Sequence, residues 1–207
     1  MKLKRALSVD ALERKKYRLM EFDGAFAASF GQMVERGGTW IIYGDSGNGK
    51  TSGSFQLAKY LTRFGKVAYD SLEEKARHTL QRAVMRQRFT TIERRRIILL
   101  SETIPELIVR LRKPKSAEFI FIDSLQYSMI TKQQYLALVE EFPQKTFIWL
   151  SHVDGNLPDG SIARWVYYAA DLKILVKGFK MMIKSRYGGQ EDYIIDPALS
   201  ERFWGTF

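Results

Sequence analysis

Residues 39–52, Thr39-Trp40-Ile41-Ile42-Tyr43-Gly44-Asp45-Ser46-Gly47-Asn48-Gly49-Lys50-Thr51-Ser52, decide the fold of this chain. Trp40 to Tyr43 is an unbroken apolar run, which predicts a short strand buried on both faces. The pattern Gly44-x4-Gly49-Lys50-Thr51 follows it directly and opens a segment with helical spacing. Strand, glycine turn and helix together predict a phosphate-binding loop: glycines let successive N–H groups curl inward, and the helix adds its positive end. Lys50 is then placed to reach the β- and γ-phosphates, and the Thr51 hydroxyl to ligate Mg²⁺. The expected ligand is ATP with Mg²⁺. Its candidate contacts are Gly44, Asp45, Ser46, Gly47, Asn48, Gly49, Lys50, Thr51 and Ser52.

Outward from this loop, short apolar runs alternate with helical segments. Strands are predicted at residues 39–43, 67–70, 97–100, 118–122 and 146–150, and helices at 50–64, 75–89, 104–112, 131–142 and 162–168. Residues 172–176, 180–185 and 192–195 read as closing strands, separated by the turns Lys177-Gly178 and Gly188-Gly189. This alternation predicts an α/β fold: a mostly parallel central sheet with helices on both faces and antiparallel C-terminal edge strands. Upstream, residues 1–36 read as a basic arm and docking helix before a core at 37–207. Phe22, Phe26 and Phe30 fall at i, i+4 and i+8, which puts three rings on one helix face turned to the core.

A chain of 207 residues suffices for one such domain, and a 45% hydrophobic content excludes a disordered or collagen-like class. The absence of cysteine excludes disulfides and thiolate metal sites, and two histidines alone do not make a zinc site. No stretch has the apolar length of a signal peptide or membrane span, so a cytoplasmic location away from membranes is expected. Lys and Arg number 33 against 23 Asp and Glu, a net charge of +10 that favours a polyanionic partner, nucleic acid first among them.

A phosphate-binding loop needs a carboxylate for the Mg²⁺ shell, drawn from the end of a buried strand. Phe119-Ile120-Phe121-Ile122-Asp123 supplies Asp123. Hydrolysis further requires a group to orient or deprotonate water. The acid pair of Ser71-Leu72-Glu73-Glu74 follows the second strand, and in a parallel sheet the strands' carboxyl ends converge on the ligand crevice. The same pair is equally readable as the acidic first turn of a helix.

Taken in order, these motifs resemble the RecA-type ATPase core, in particular its RadA and DnaB branch. GDSGNGKT resembles the Walker A loop, and FIFIDS the Walker B strand ending in Asp123. DSLEE resembles the strand end whose glutamate activates water, matching Glu73, and Leu150-Ser151-His152-Val153 resembles the sensor strand, with His152 as the polar reader of the γ-phosphate. Lys184-Ser185-Arg186-Tyr187-Gly188 resembles the segment that reaches a neighbouring subunit's nucleotide, so the resemblance implies that Lys184 and Arg186 act in trans within a homo-oligomer. It implies a RecA-like P-loop NTPase fold over about residues 37–190. The chain lacks the zinc knuckle and protease domain of RadA and the N-terminal domain of DnaB, and its two loops after Asp123 and after His152 are short. It is similar in size to phage-encoded RecA-superfamily ATPases that accompany single-strand annealing and recombination. That similarity implies a phage origin and an annealing or replication protein as partner.

Arg82, Arg86 and Arg88, then Arg94, Arg95 and Arg96, form one basic cluster, and Arg110, Arg112, Lys113 and Lys115 a second. Such density suits phosphate backbones, and equally a solvated face. Tyr127, Trp165 and Tyr168 are candidate stacking residues for bases, with core packing as the alternative. The leading expectation is a DNA-dependent ATPase that forms a ring or filament on single-stranded DNA in recombination, repair or replication. The competing expectation is an ATP-gated adaptor whose nucleotide state controls assembly. A small-molecule kinase fits less well, because no arginine-rich lid is recognisable between the third and fourth strands.

Overall fold

A computed structural model describes residues 6–205. Its framework is a single eight-stranded sheet. The strands are β1 (Gly38–Tyr43), β2 (Val67–Ser71), β3 (Ile97–Leu100), β4 (Phe119–Asp123), β5 (Thr146–Ser151), β6 (Leu172–Lys177), β7 (Lys180–Ser185) and β8 (Tyr193–Ile194). Across the sheet they run β8-β7-β6-β1-β5-β4-β2-β3. From β6 to β3 every neighbouring pair is parallel, while β7 and β8 add antiparallel strands at the β6 edge. The predicted class holds, including the antiparallel C-terminal edge.

Side chains of a strand alternate between faces, so a strand covered on both sides is apolar throughout. In β1, Trp40 and Ile42 enter one core while Ile41 and Tyr43 enter the other. The first core is closed by helix α1 (Gly24–Phe30), α2 (Lys50–Leu61) and α3 (His78–Arg86). The second is closed by α5 (Ile104–Leu111), α7 (Lys132–Glu141) and α8 (Ser161–Ala169), the short α4 (Thr91–Arg96) and α6 (Leu125–Ser128) lying between. A last helix, α9 (Pro197–Trp204), follows β8. Capping boxes start α4, α5 and α7, at Thr90 with Glu93, Thr103 with Glu106, and Thr131 with Gln134.

Several boundaries differ from the sequence reading. The helix expected at 75–89 is shorter, because Lys75 and Arg88 both take left-handed backbone conformations (φ +52° and +48°) that helices do not tolerate. The chain then restarts as α4 under its own capping box, so Arg94, Arg95 and Arg96 form a last helical turn instead of a loop. Of the N-terminal arm and docking helix, residues 1–5 lie outside the described residues, Val9–Glu13 is helical with none of its side chains buried, and α1 is the helix that docks.

Phe22 precedes α1 instead of lying on it, at the end of a strand Leu19–Glu21 that pairs antiparallel with Met33–Glu35. The three rings still meet, Phe22 to Phe30 at 6.1 Å and Phe26 to Phe30 at 5.7 Å between centroids. Phe22, Phe30 and Val34 are buried in the same core as Trp40 and Phe55. Phe30→Ala is therefore expected to cost about 3–5 kcal/mol of stability. Leu12→Ala, on the exposed Val9–Glu13 helix, should stay within about 0.5 kcal/mol in the same urea unfolding experiment. Equal effects of the two substitutions would refute the packing of residues 19–35 into the core.

Candidate active site

The candidate site forms where the parallel strands end at their carboxyl side. Directly after β1 the chain makes the turn 44–49 and enters α2. Gly44 leaves no room for a side chain, because a Cβ there would collide with the Val176 carbonyl oxygen of the neighbouring β6. Gly49 has φ +97°, and the Phe179 ring stands 2.9 Å from where its Cβ would be. The loop is tied to the β6–β7 turn by two bonds through Asn48. The Asn48 side-chain oxygen accepts the Gly178 N–H at 2.8 Å, and its carbonyl accepts the Phe179 N–H at 3.1 Å.

Inside the loop the Lys50 ammonium donates to the Gly44 carbonyl at 2.7 Å. Burial lowers its pKa, and Asp123, Glu73 and Asp45 work against that shift as nearby negative charges. Asp123 ends β4, buried, with burial pushing its carboxyl up to about 6. The Tyr69 hydroxyl donates to its Oδ2 at 2.9 Å and lowers it, Glu73 and Glu74 raise it as like charges, and Lys50 lowers it. Tyr69 also contacts the Ser54 hydroxyl at 2.9 Å, which links β4, β2 and α2 through one phenol.

Glu73 and His152 come together: His152 Nε2 lies 3.3 Å from Glu73 Oε2, each side chain about one-third exposed. The Glu73 N–H donates to the Asp123 carbonyl at 3.1 Å, so the turn after β2 is fastened to the end of β4. Glu74 Oε2 is buried and has no hydrogen-bond partner, and its charge acts on Asp123 and Tyr69. Gln126 of α6 braces the segment after β5 by donating to the Ser151 hydroxyl and the Asp159 carbonyl, both at 2.9 Å, while its oxygen faces the His152 N–H at 3.4 Å. The segment that follows is a small hairpin, Val153–Asp154 against Leu157–Pro158. Tyr69 and Gln126 do not stand out in the sequence: Tyr69 sits inside an apolar run and reads as core, and Gln126 carries no motif.

Lys184 and Arg186 are not at this mouth. The antiparallel β7 starts at Lys180 beside the loop and carries Lys184 opposite Lys173, roughly 13 Å of strand rise away. Beyond it the Arg186 guanidinium pairs with Asp171 Oδ1 at 3.0 Å, while Asp171 Oδ2 takes the Thr39 N–H at 3.2 Å. Nor do the two basic clusters form continuous patches. Arg82, Arg86 and Arg88 are exposed, whereas Arg94 donates to the Phe89 carbonyl and Arg96 to the Thr62 carbonyl. Arg110 is held by Glu102 and Arg112 by Glu141. Tyr127 and Tyr168 are 55% and 66% exposed, and Trp165 packs edge-on against Tyr135.

The residues at the mouth fit a Mg²⁺-bound triphosphate. Thr51 and Asp123 are hard oxygen donors, and the Ser71 and Ser124 hydroxyls at the strand ends are buried without partners. Gly47 turns its open side outward, with no atom within 4 Å of a Cβ position. Tyr69→Phe keeps the ring and leaves Ser54 bonded to the Thr51 carbonyl, but removes the hydroxyl donor from Asp123. The Asp123 pKa is then expected to rise beyond about 6, which carboxyl-carbon NMR titration of the ligand-free protein would read. An unchanged value would mean that Tyr69 does not stabilise the carboxylate.

No protein-family model matches the chain, and no curated protein does. Among solved structures it is similar to the KaiC-like protein PH0186 of the hyperthermophilic archaeon Pyrococcus horikoshii OT3, with a TM-score of 0.63 and 18% identity over 86% of this chain and 91% of that one. It is also similar to the flagellar accessory protein FlaH of Methanocaldococcus jannaschii, with a TM-score of 0.64 and 14% identity over 86% of this chain and 93% of that one. At these identities the likeness shows the fold, and the fold is the RecA-like P-loop architecture that the motif order implied.

Proposed function

We propose that this chain binds ATP with Mg²⁺ at the turn 44–52, hydrolyses it, and does so as a ring or filament acting on single-stranded DNA. The observation that carries the reading is the convergence of Lys50, Asp123, Glu73 and His152 on one mouth, while Lys184 and Arg186 stand at the sheet's other end. Lys50 and the loop N–H groups hold the triphosphate, with Thr51 and Asp123 as the oxygen ligands of Mg²⁺. When bound, Mg²⁺ offsets charge on the β- and γ-oxygens. Glu73 orients and deprotonates the attacking water, and His152, against it, senses the γ-phosphate. Glu73 is preferred to Glu74 because it is the acid that faces Lys50 and His152.

The trans role is supported by distance, since a cation about 13 Å along β7 from its own loop is poorly placed to act on its own subunit's nucleotide. The DNA reading is supported by the +10 charge, by the exposed rings of Tyr127 and Tyr168, and by the RadA- and DnaB-like motif order with its similarity to phage recombination ATPases. The adaptor reading keeps its place because one structural neighbour is a flagellar accessory protein. Stimulation of ATP turnover by single-stranded DNA favours the first reading, and turnover indifferent to DNA favours the second.

Lys50→Ala is expected to abolish hydrolysis, because the countercharge to the phosphates is removed. Glu73→Gln should retain ATP binding and lower turnover on the order of 10²-fold or more, as removal of a general base does. If Glu74→Gln has that effect instead, the assignment moves by one residue. Arg186→Ala should fold and bind ATP yet turn over about 10³-fold more slowly. Mixing it with Lys50→Ala should recover part of the activity, because some interfaces then pair an intact loop with an intact finger. A mixture that recovers nothing, with specific activity independent of protein concentration, would show that the subunit acts alone.

A further inference from the structure

Far from the nucleotide mouth, a hollow of about 250 Å³ opens at the amino ends of β2 and β3, beside the turn that precedes β4. Its charged lining is entirely cationic: Lys66, Arg95, Arg96, Arg110, Lys113 and Lys115. These residues come from separate parts of the chain, so the fold assembles the cluster and neither basic run of the sequence contains it. Arg95 and Arg96 end α4, Arg110 lies in the last turn of α5, and Lys113 and Lys115 follow in the turn beyond it.

Two acids close by compensate part of the charge. Glu102 holds Arg110, and Glu118 accepts the Lys66 N–H while pairing with Arg36 at 3.8 Å. Setting Arg110 against Glu102 and Arg36 against Glu118 leaves Lys66, Arg95, Arg96, Lys113 and Lys115 as excess positive charge. Helix dipoles account for arginines in a last helical turn, since cations are favoured at the carboxyl end. They do not account for Lys113 and Lys115, which lie past the helix. Arg95, Lys113 and Lys115 have no side-chain hydrogen bond or ion pair among the described residues, while Arg96 is fixed by its bond to the Thr62 carbonyl at 2.7 Å and Lys66 by its bond to the Lys115 carbonyl at 3.1 Å. The hollow thus combines three cations fixed by bonds of their own, Lys66, Arg96 and Arg110, with three that are free.

We propose that this hollow is a second anion site, independent of the nucleotide mouth, that takes closely spaced phosphates of a single-stranded nucleic acid backbone. The ligand's identity rests on the DNA reading above; the site's phosphate chemistry rests on the hollow itself. Like charges gathered in one concavity repel each other, and a polyanion relieves the repulsion while releasing its counterions. The lining is made of side-chain cations and not of a glycine turn like that at 44–49, so the arrangement suits many phosphates held by charge more than one held by shape. Val67 begins β2 at the hollow and Ser71 ends it near the mouth, about 13 Å apart, so a strand bound here leaves ATP access open.

The test measures fluorescence anisotropy of a labelled oligothymidylate across a salt series, with the full chain. Lys113→Glu/Lys115→Glu should weaken binding at least tenfold and flatten the log–log salt dependence by about 0.7 for each phosphate that is no longer neutralised. Binding of a fluorescent ATP analogue should be unchanged. Lys113→Arg/Lys115→Arg should bind as the parent does, since charge and not the ammonium is what matters. Arg82→Glu/Arg88→Glu, exposed arginines outside the hollow, should have a smaller effect. Parent-like binding by Lys113→Glu/Lys115→Glu, with the weakening falling on Arg82→Glu/Arg88→Glu, would overturn the proposal. Inorganic tripolyphosphate, measured with Lys50→Ala to silence the mouth, separates the two sources of phosphate. If it binds, is released by the added Lys113→Glu/Lys115→Glu substitutions, and no oligonucleotide binds even at low salt, the hollow is a free-polyphosphate site and the DNA reading fails. If neither ligand binds, both the hollow and the DNA reading are wrong, while ATP binding stands on its own measurement.

Discussion

The attraction between a half-buried ammonium and a buried carboxylate organises this molecule's mouth. Lys50 and Asp123 are both withdrawn from water, and each carries the penalty in its own titration, the lysine lowered and the aspartate raised to about 6. Either charge alone would be strongly unfavourable in such a place, and their mutual field offsets part of the cost. The arrangement requires that a loop after β1 and the end of β4 be held at fixed distance although β5 stands between them. Tyr69 supplies the fixation from the next strand, with its phenol on Asp123 and on Ser54 of α2.

The same constraint explains why polar chemistry is confined to strand ends. Across β1, β5, β4 and β2 the sheet is covered on both faces, so a polar side chain in mid-strand would need its own buried partner. Phe55, Tyr69 and Phe121 stack at 4.3 and 5.4 Å between centroids, filling the space beneath the site with rings. A packed aromatic layer resists displacement, which keeps Asp123 and the turn bearing Glu73 in register. The polar groups of the candidate site stand above it, on the short turns at the carboxyl ends.

The Walker-type strand and loop were legible because they combine two signals, an apolar run and fixed glycine spacing, that only a buried strand feeding a phosphate loop satisfies together. Phe119 to Asp123 was legible for the same reason. The pairing of Leu19–Glu21 with Met33–Glu35 was not, since each run is only three residues long and neither alternates strongly enough to announce a strand. Tyr69 was hidden by its own hydrophobicity: a tyrosine within Val-Ala-Tyr looks like filling, and only the register of β2 against β4 brings its hydroxyl to Asp123. Runs of arginine misled in a different way. Adjacent cations in sequence diverge on a helix, so Arg94 turns back to the Phe89 carbonyl while Arg95 and Arg96 face the hollow shared with Lys113 and Lys115.

The far end of the sheet poses an energetic question about Arg186, which already has a partner in its own subunit. That partner is weakly binding, because Arg186 is 64% exposed and an ion pair so hydrated contributes at most about 1 kcal/mol. Its departure would not strand Asp171, which keeps the Thr39 N–H on its other oxygen. In the proposed trans role, the triphosphate of a neighbouring subunit would offer a denser negative charge in a less hydrated setting, where each charge-assisted contact counts for more than it does at a surface. In that proposal the pair with Asp171 is a resting position, held at small cost to release. An arginine locked by a buried carboxylate would have been tied to its own fold, and one without any partner would have to be ordered from many rotamers on assembly. A weak, exposed partner avoids both penalties, which is the property expected of a residue that must fold in one subunit and act in another.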